Sequence, residues 1–296
     1  MVIKSKDSTY WWPSRYGVHD SFGALNEISP LAIVQAARLV TEGVVVDLAQ
    51  VLDEHSPAFP GRTFKQWMHE SAPEGGIGDN AVHWVAERFE ATTQMGTHVD
   101  CLNHLQQGDR CYNGQHLSHI LTDTGTSRLG AETLPQVVTR GVLLDIAGAR
   151  GVTHLEPGYV ISPKDAEAAL AASSTVIQPG DAVLFHTGWG QMWDDNPASY
   201  IQGEPGPGTA MIHWLTRRRV AITGCDTWSF GPVPAENPNL PFIVPQQLNT
   251  HFGVVIMENL RLRDLVKLPK REFMFVMSHP KLRGATGAWT APLAIF

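Results

Sequence analysis

The chain has little cysteine. Its three, Cys101, Cys111 and Cys225, are too few and too irregularly spaced for a disulfide framework or for a zinc cage built of Cys-x-x-Cys pairs. A reducing, cytoplasmic setting is expected. Positive charge is also scarce: 22 basic residues stand against 29 acidic ones, so no cationic stripe exists to follow a phosphate backbone, and nucleic acid is not an expected partner. No apolar run reaches the roughly 18 residues of a membrane span, and the opening MVIKSKDSTY lacks the apolar centre of a signal peptide. Membranes drop out with it, leaving small molecules as the default partners. A Gly-x-Ser-x-Gly elbow is missing too, which removes one large class of serine hydrolases. Neither a repeat of 20 to 50 residues nor a charged or Ser/Gly linker divides the chain.

What is present reads as an ordinary globular protein. With 296 residues, 43% hydrophobic and 17% charged, the chain can bury a core that needs no covalent staples. One domain over residues 1–296 is expected. Helical spacing covers Pro30–Thr41, with Ser29 as N-cap and proline at the first helical position, and recurs over Pro163–Ala172 and Ala210–Arg219. Strand-like runs are Val44–Leu48, Val85–Glu90, Gly141–Ile146, Ala182–Thr187, Val220–Thr223, Val254–Glu258 and Phe273–Met277. Strands and helices thus alternate along an α/β chain. Two Gly/Pro-rich stretches, Asn196–Gly208 and Phe230–Gln247, are longer than plain connections and are expected to carry binding or subunit contacts.

The chemistry concentrates in Thr93-Gln94-Met95-Gly96-Thr97-His98-Val99-Asp100-Cys101-Leu102-Asn103-His104. Residues two apart on an extended segment face the same side, so His98 and Asp100 present an imidazole and a carboxylate about 7 Å apart at Cα, a spacing that suits one divalent cation. Gln94 lies four residues back and reaches the same ion only if Gly96 bends the chain. His104 lies past a turn and can face the ion without binding it. On spacing alone a His-x-Asp pair is equally compatible with hydrogen-bonded structural residues. Cys101, inside the motif, reads as a small buried residue rather than a nucleophile.

Gln94-x-Gly-Thr-His98-x-Asp100-x-x-x-His104 resembles the His-x-Gly-Thr-His-x-Asp-x-Pro-x-His signature of the cyclase family of metal-dependent hydrolases, which includes bacterial kynurenine formamidase, isatin hydrolase and trans-dienelactone hydrolase. Further matches follow in order: Gly23-Ala24-Leu25-Asn26, Tyr112-Asn113-Gly114, Thr187-Gly188-Trp189, Gly224-Cys225-Asp226-Thr227 and Glu258-Asn259-Leu260. The resemblance implies a compact swivelling β/β/α fold with a mixed sheet, a homodimer or homotetramer, and a manganese or zinc site. It implies His98 and Asp100 as ligands and His104 as general acid/base. Glu258 corresponds to a carboxylate that binds a second ion in some members and serves catalysis in others; a strand-end carboxylate satisfied by backbone donors is the plain alternative.

Two positions depart from the family pattern. Gln94 stands where the first histidine belongs, and Pro245, Gln246 and Gln247 occupy the place of a later one. Amide oxygens are harder, weaker donors than imidazole, which favours manganese over zinc and one ion per subunit over two. Gln246 is then a candidate fourth ligand or a solvated loop amide, and His251 substitutes only if the alignment slips. The expected activity is opening of a small amide, lactam or lactone, arylformamidase-like or isatin-hydrolase-like, by metal-activated water. Ring closure uses the same catalyst in reverse. The competing expectation is a non-catalytic ligand-binding protein that has kept the fold and lost full metal binding. His186–Trp189 is expected at the pocket edge, and Trp11, Trp12 and Trp84 in an aromatic wall or simply in core and interface.

Overall fold

The computed structural model describes residues 10–296. Residues 1–9, where the sequence shows no leader-like apolar centre, lie outside the described residues. Nine strands make one mixed sheet: β1 (Val45–Asp47), β2 (His98–Asp100), β3 (Val137–Asp145), β4 (Ala182–His186), β5 (Ile222–Cys225), β6 (Val255–Glu258), β7 (Glu272–Met277), β8 (Gly287–Trp289) and β9 (Leu293–Ile295). Their order is β1-β9-β7-β3-β4-β5-β6-β2-β8.

The four central strands, β3 to β6, run parallel, and antiparallel strands flank them on both sides. Parallel neighbours need a long crossover, and each one carries a helix: α2 (Pro163–Ser173), α3 (Thr209–Arg217) and α4 (Ile243–Phe252). The pleat sorts the core into two layers. Val142, Leu144, Val183, Phe185 and Ile256 pack on the side that carries these helices, while Leu143, Leu184, Val255 and Met257 face the other way. Helix α1 (Pro30–Ala37) packs against β3 and β7.

Local signals hold where a side chain caps its own helix. The Ser29 hydroxyl accepts from the Ala32 amide at 3.1 Å, and Ser162 with Asp165 forms a reciprocal capping box at the start of α2. Three expectations need correction. Helix α1 stops at Ala37 rather than Thr41, because the Glu42 and Gly43 amides turn to the Phe296 carbonyl, at 3.1 and 2.7 Å. Helix α4 begins inside Phe230–Gln247, read as a long Gly/Pro-rich loop. Its Pro245 sits in the first turn, where the missing N–H has no intrahelical acceptor to lose. Strands β8 and β9 were not expected, because three-residue strands are too short to show a period, and the eight-residue hairpin strand Phe64–Ser71 was not expected either. No described helix is long and apolar enough to cross a membrane.

Candidate metal centre

The centre begins at a bend. Gly96 has φ +66°, a conformation that side chains with a Cβ resist, and its carbonyl accepts from His98 Nδ1 at 2.9 Å and from Asn259 Nδ2 at 3.0 Å. Beyond it the chain runs straight into β2, so His98 and Asp100 face one side. Register supplies a third group. Strand β6 lies antiparallel to β2 with Glu258 opposite His98 and Ile256 opposite Asp100, and directly opposed residues share a face. His98 Nε2 is 3.2 Å from Glu258 Oε2 and 3.6 Å from Asp100 Oδ1. Donor atoms of the three residues all lie within 4.8 Å of one another, and all three residues are buried.

Burial dominates their electrostatics. Burial lowers the His98 pKa and raises that of Asp100, and it pushes the Glu258 carboxyl up to about 7. His98 Nε2 and Asp100 Oδ1 are buried with no hydrogen-bond partner among the described residues. Such orphans cost stability unless something meets them. A divalent cation does so. The bond from Nδ1 to Gly96 holds the imidazole proton away and leaves the Nε2 lone pair toward Asp100 and Glu258, as a metal-ligating histidine requires. One imidazole and two carboxylates form a donor set for a divalent transition metal.

His104 stands beside the centre, its Nε2 3.7 Å from Asp100 Oδ1, on the wall of a cavity of about 180 Å³ that also exposes Asp100 and Glu258. Gln94 lies under it. Its Nε2 is 3.0 Å from Thr286 Oγ1 and 3.4 Å from His104 Nδ1, and its Oε1 accepts from the Thr93 hydroxyl at 3.0 Å. Gln246, on α4, donates to the Gln106 carbonyl at 2.8 Å. His251 is stacked on Trp11 and bonded to Gln107 Oε1 at 2.7 Å, so it joins the N-terminal segment rather than the centre. Cys101 is fully buried, and burial pushes its thiol pKa well up, as an inert packing residue requires.

The cavity wall contains residues that spacing did not single out. Phe59, Trp228 and Phe242 form an aromatic side, with ring centroids of Phe59 and Trp228 5.5 Å apart. Arg62 adds a cation, anchored by Nη1 to the Gln94 carbonyl at 2.7 Å. The tryptophan of this wall is therefore Trp228; Trp11 and Trp12 pack on His251 and Arg110, and Trp84 is exposed. Behind Trp228 lies the fully buried Glu204, which accepts from the Trp228 amide at 2.6 Å and the Ser229 amide at 3.0 Å and is 2.5 Å from Ser229 Oγ. The sequence signals here were the place of Trp228 just after the Gly-x-Asp-Thr turn and the two Gly/Pro-rich stretches, of which Asn196–Gly208 holds Glu204 and Phe230–Gln247 holds Phe242. His186 and Gly188, expected at this pocket, line a separate cavity.

The other sequence matches meet in space. Tyr112 donates to Asp20 at 2.7 Å, Asn113 donates to the Gly17 carbonyl at 2.9 Å, and Asn26 reaches Asp20 at 2.7 Å, so the N-terminal segment clamps the turn after the metal motif. Asp226 accepts from the amides of Thr187 and Gly188, at 2.9 and 3.0 Å, and joins the ends of β4 and β5.

Solved structures share this architecture. One described as a novel cyclase is 29% identical, with a TM-score of 0.86 over 95% of this chain and 98% of its own. Isatin hydrolase A from Ralstonia solanacearum is 21% identical, with a TM-score of 0.64 over 90% of this chain and 97% of its own. Isatin hydrolase A from Labrenzia aggregata is 20% identical, with a TM-score of 0.63 over 89% of this chain and 96% of its own. No curated protein sequence matches significantly. The Cyclase family profile matches residues 34–232, a span that holds His98, Asp100 and His104. On that match over most of its length, the chain belongs to the Cyclase family.

Proposed function

We propose that the protein is a metal-dependent hydrolase that opens a small amide, lactam or lactone. The observation that carries this reading is the buried set of His98, Asp100 and Glu258, with two orphaned donor atoms and a histidine beside it. Structures that share the fold include isatin hydrolases and one described as a potential metal-dependent hydrolase with cyclase activity, which support it. One divalent ion is held by His98 and Asp100 with Glu258, manganese in preference to zinc because two of the three donors are hard carboxylates. When bound, such an ion lowers the pKa of water and polarises a carbonyl.

The remaining work falls to the chain. His104 Nε2, on the cavity wall, takes the proton from the attacking water and returns it to the leaving nitrogen or oxygen. Gln94 holds its ring by contact at Nδ1, which leaves Nε2 as the working atom. Phe59, Trp228 and Phe242 favour a flat ring, and the Arg62 guanidinium suits an oxygen-bearing substituent. Formamide and lactam lose nitrogen and a lactone loses oxygen, so one core serves all three with only the leaving atom and the pocket walls changed.

The test is metal content by elemental mass spectrometry, with turnover of N-formylkynurenine, isatin and a dienelactone in manganese and zinc. About one equivalent of metal is expected, His98→Ala losing both metal and turnover and His104→Ala losing turnover alone. Full metal content in His98→Ala sinks the site assignment. Absence of metal uptake in the unaltered protein returns the reading to a non-catalytic binder.

A further inference from the structure

A second cavity opens on the other face of the sheet. Strands β3 and β4 end side by side at Asp145 and His186, which share the pleat of Leu143 and Leu184 and so face away from the layer that carries Ile256 and Glu258. His186 Nδ1 lies 2.8 Å from Asp145 Oδ1, and Asp145 is further held by the Gly148 amide at 2.9 Å and by Arg271 at 3.5 Å. The imidazole is buried, and its Nε2 is the ring nitrogen left without a partner among the described residues. It forms part of the wall of a cavity of about 230 Å³ at the carboxyl ends of the parallel strands, the edge where open α/β sheets bind ligands.

The rest of the wall is rich in donors. Arg261 uses Nε and Nη2 on Asp264, leaving Nη1, and Arg263 uses Nη1 on Asp194, leaving Nη2. Gln50 and Gln191 add amides. The one carboxylate in the wall, Asp226, is already met by the Thr187 hydroxyl at 2.6 Å and by the amides of Thr187, Gly188 and Gly190 at 2.9, 3.0 and 3.4 Å. Its oxygens are thus occupied, while the cationic donors remain open. Burial alone would lower the His186 pKa, but the Asp145 hydrogen bond together with the Asp226 and Asp145 charges raises it, which favours the doubly protonated ring that has an N–H at Nε2.

We infer that this cavity is a binding site for a small carboxylate, held by His186 Nε2 and the free guanidinium nitrogens of Arg261 and Arg263. Charge-assisted bonds from a planar guanidinium match a carboxylate better than any neutral group. The volume is that of about eight waters, at about 30 Å³ each, enough for an acid on one small ring or a short chain. This cavity shares no lining residue with that of the metal centre.

Calorimetric titration of the intact protein with benzoate, and with benzamide as neutral control, tests this. Saturable benzoate binding is expected, with benzamide at least tenfold weaker. Binding should persist within twofold in His98→Ala and in EDTA-treated protein, and should fall at least tenfold in Arg263→Gln, whose side chain is about a third exposed, and in His186→Gln. Absence of saturable benzoate binding, its loss in His98→Ala and after EDTA, or an unchanged affinity in Arg263→Gln overturns the assignment. Loss on metal removal would instead place the acid at the metal centre.

Discussion

Replacing Glu204 separates two roles for a buried acid. Its carboxyl is fully buried and is met by the Trp228 and Ser229 amides and the Ser229 hydroxyl. Burial pushes its pKa well above the ordinary carboxylate range. Oε2 accepts from both amides, Trp228 at 2.6 Å and Ser229 at 3.2 Å, and Oε1 accepts from the Ser229 hydroxyl. Glutamine keeps one oxygen for the two amides, and its NH2 donates to Ser229 Oγ once that hydroxyl turns, so no buried amide is orphaned. Glu204→Gln should therefore cost under about 1.5 kcal/mol, the size of one ordinary hydrogen bond. Alanine instead orphans two buried amides at about 1–3 kcal/mol each, so Glu204→Ala should cost about 4 kcal/mol before any cavity term. The measurement is the urea midpoint, with m-values checked for equality. Since Trp228 and Ser229 line the cavity beside Asp100 and Glu258, Glu204→Ala should also raise KM more than Glu204→Gln does. Equal destabilisation by the two variants would refute the neutral-acid argument and show that a full negative charge is needed there.

Three further outcomes are expected. Chelation of divalent ions should lower Tm, and restoring an ion at about a hundredfold over its Kd should return about 2.7 kcal/mol; an unchanged Tm on chelation counts against a resident metal. Gly96→Ala should lose about 1–2 kcal/mol in denaturant, because φ +66° strains alanine and its Cβ would sit 3.1 Å from Leu52 Cδ1, and its metal content should drop as the Gly96 carbonyl shifts from His98. The raised pKa of His186 means that its pairing stabilises the fold fully below the unfolded value near 6.5 and less as pH rises through the folded value. His186→Gln should thus be most harmful near pH 6 and converge on the unaltered protein in alkaline solution, read as Tm against pH; a gap that widens with pH refutes the pairing.

Amino-acid order alone determined what depends on near neighbours. Ser29 and Ser162 cap the helices they precede, Gly96 bends where a bend is needed, and His98 and Asp100 share a face because a strand repeats every two residues. The ordered matches from Gly23 to Leu260 were enough to anticipate the mixed α/β fold and the family. Tertiary structure decided what depends on register and packing across long separations. Glu258 joins His98 only because β6 lies beside β2 in one register; a shift by one residue would turn it to the opposite face. Arg62 and Trp228 reach the cavity from separate loops and Glu204 lies behind Trp228, and no period or motif marks them. The end of α1 answers to the Phe296 carbonyl, more than 250 residues away in the chain. His186, placed by sequence at the metal pocket, falls on the other face by the parity of a single strand. Spacing sets which side chains share a face of one segment, whereas the assembly of several segments into one site is set by long-range strand pairing and burial.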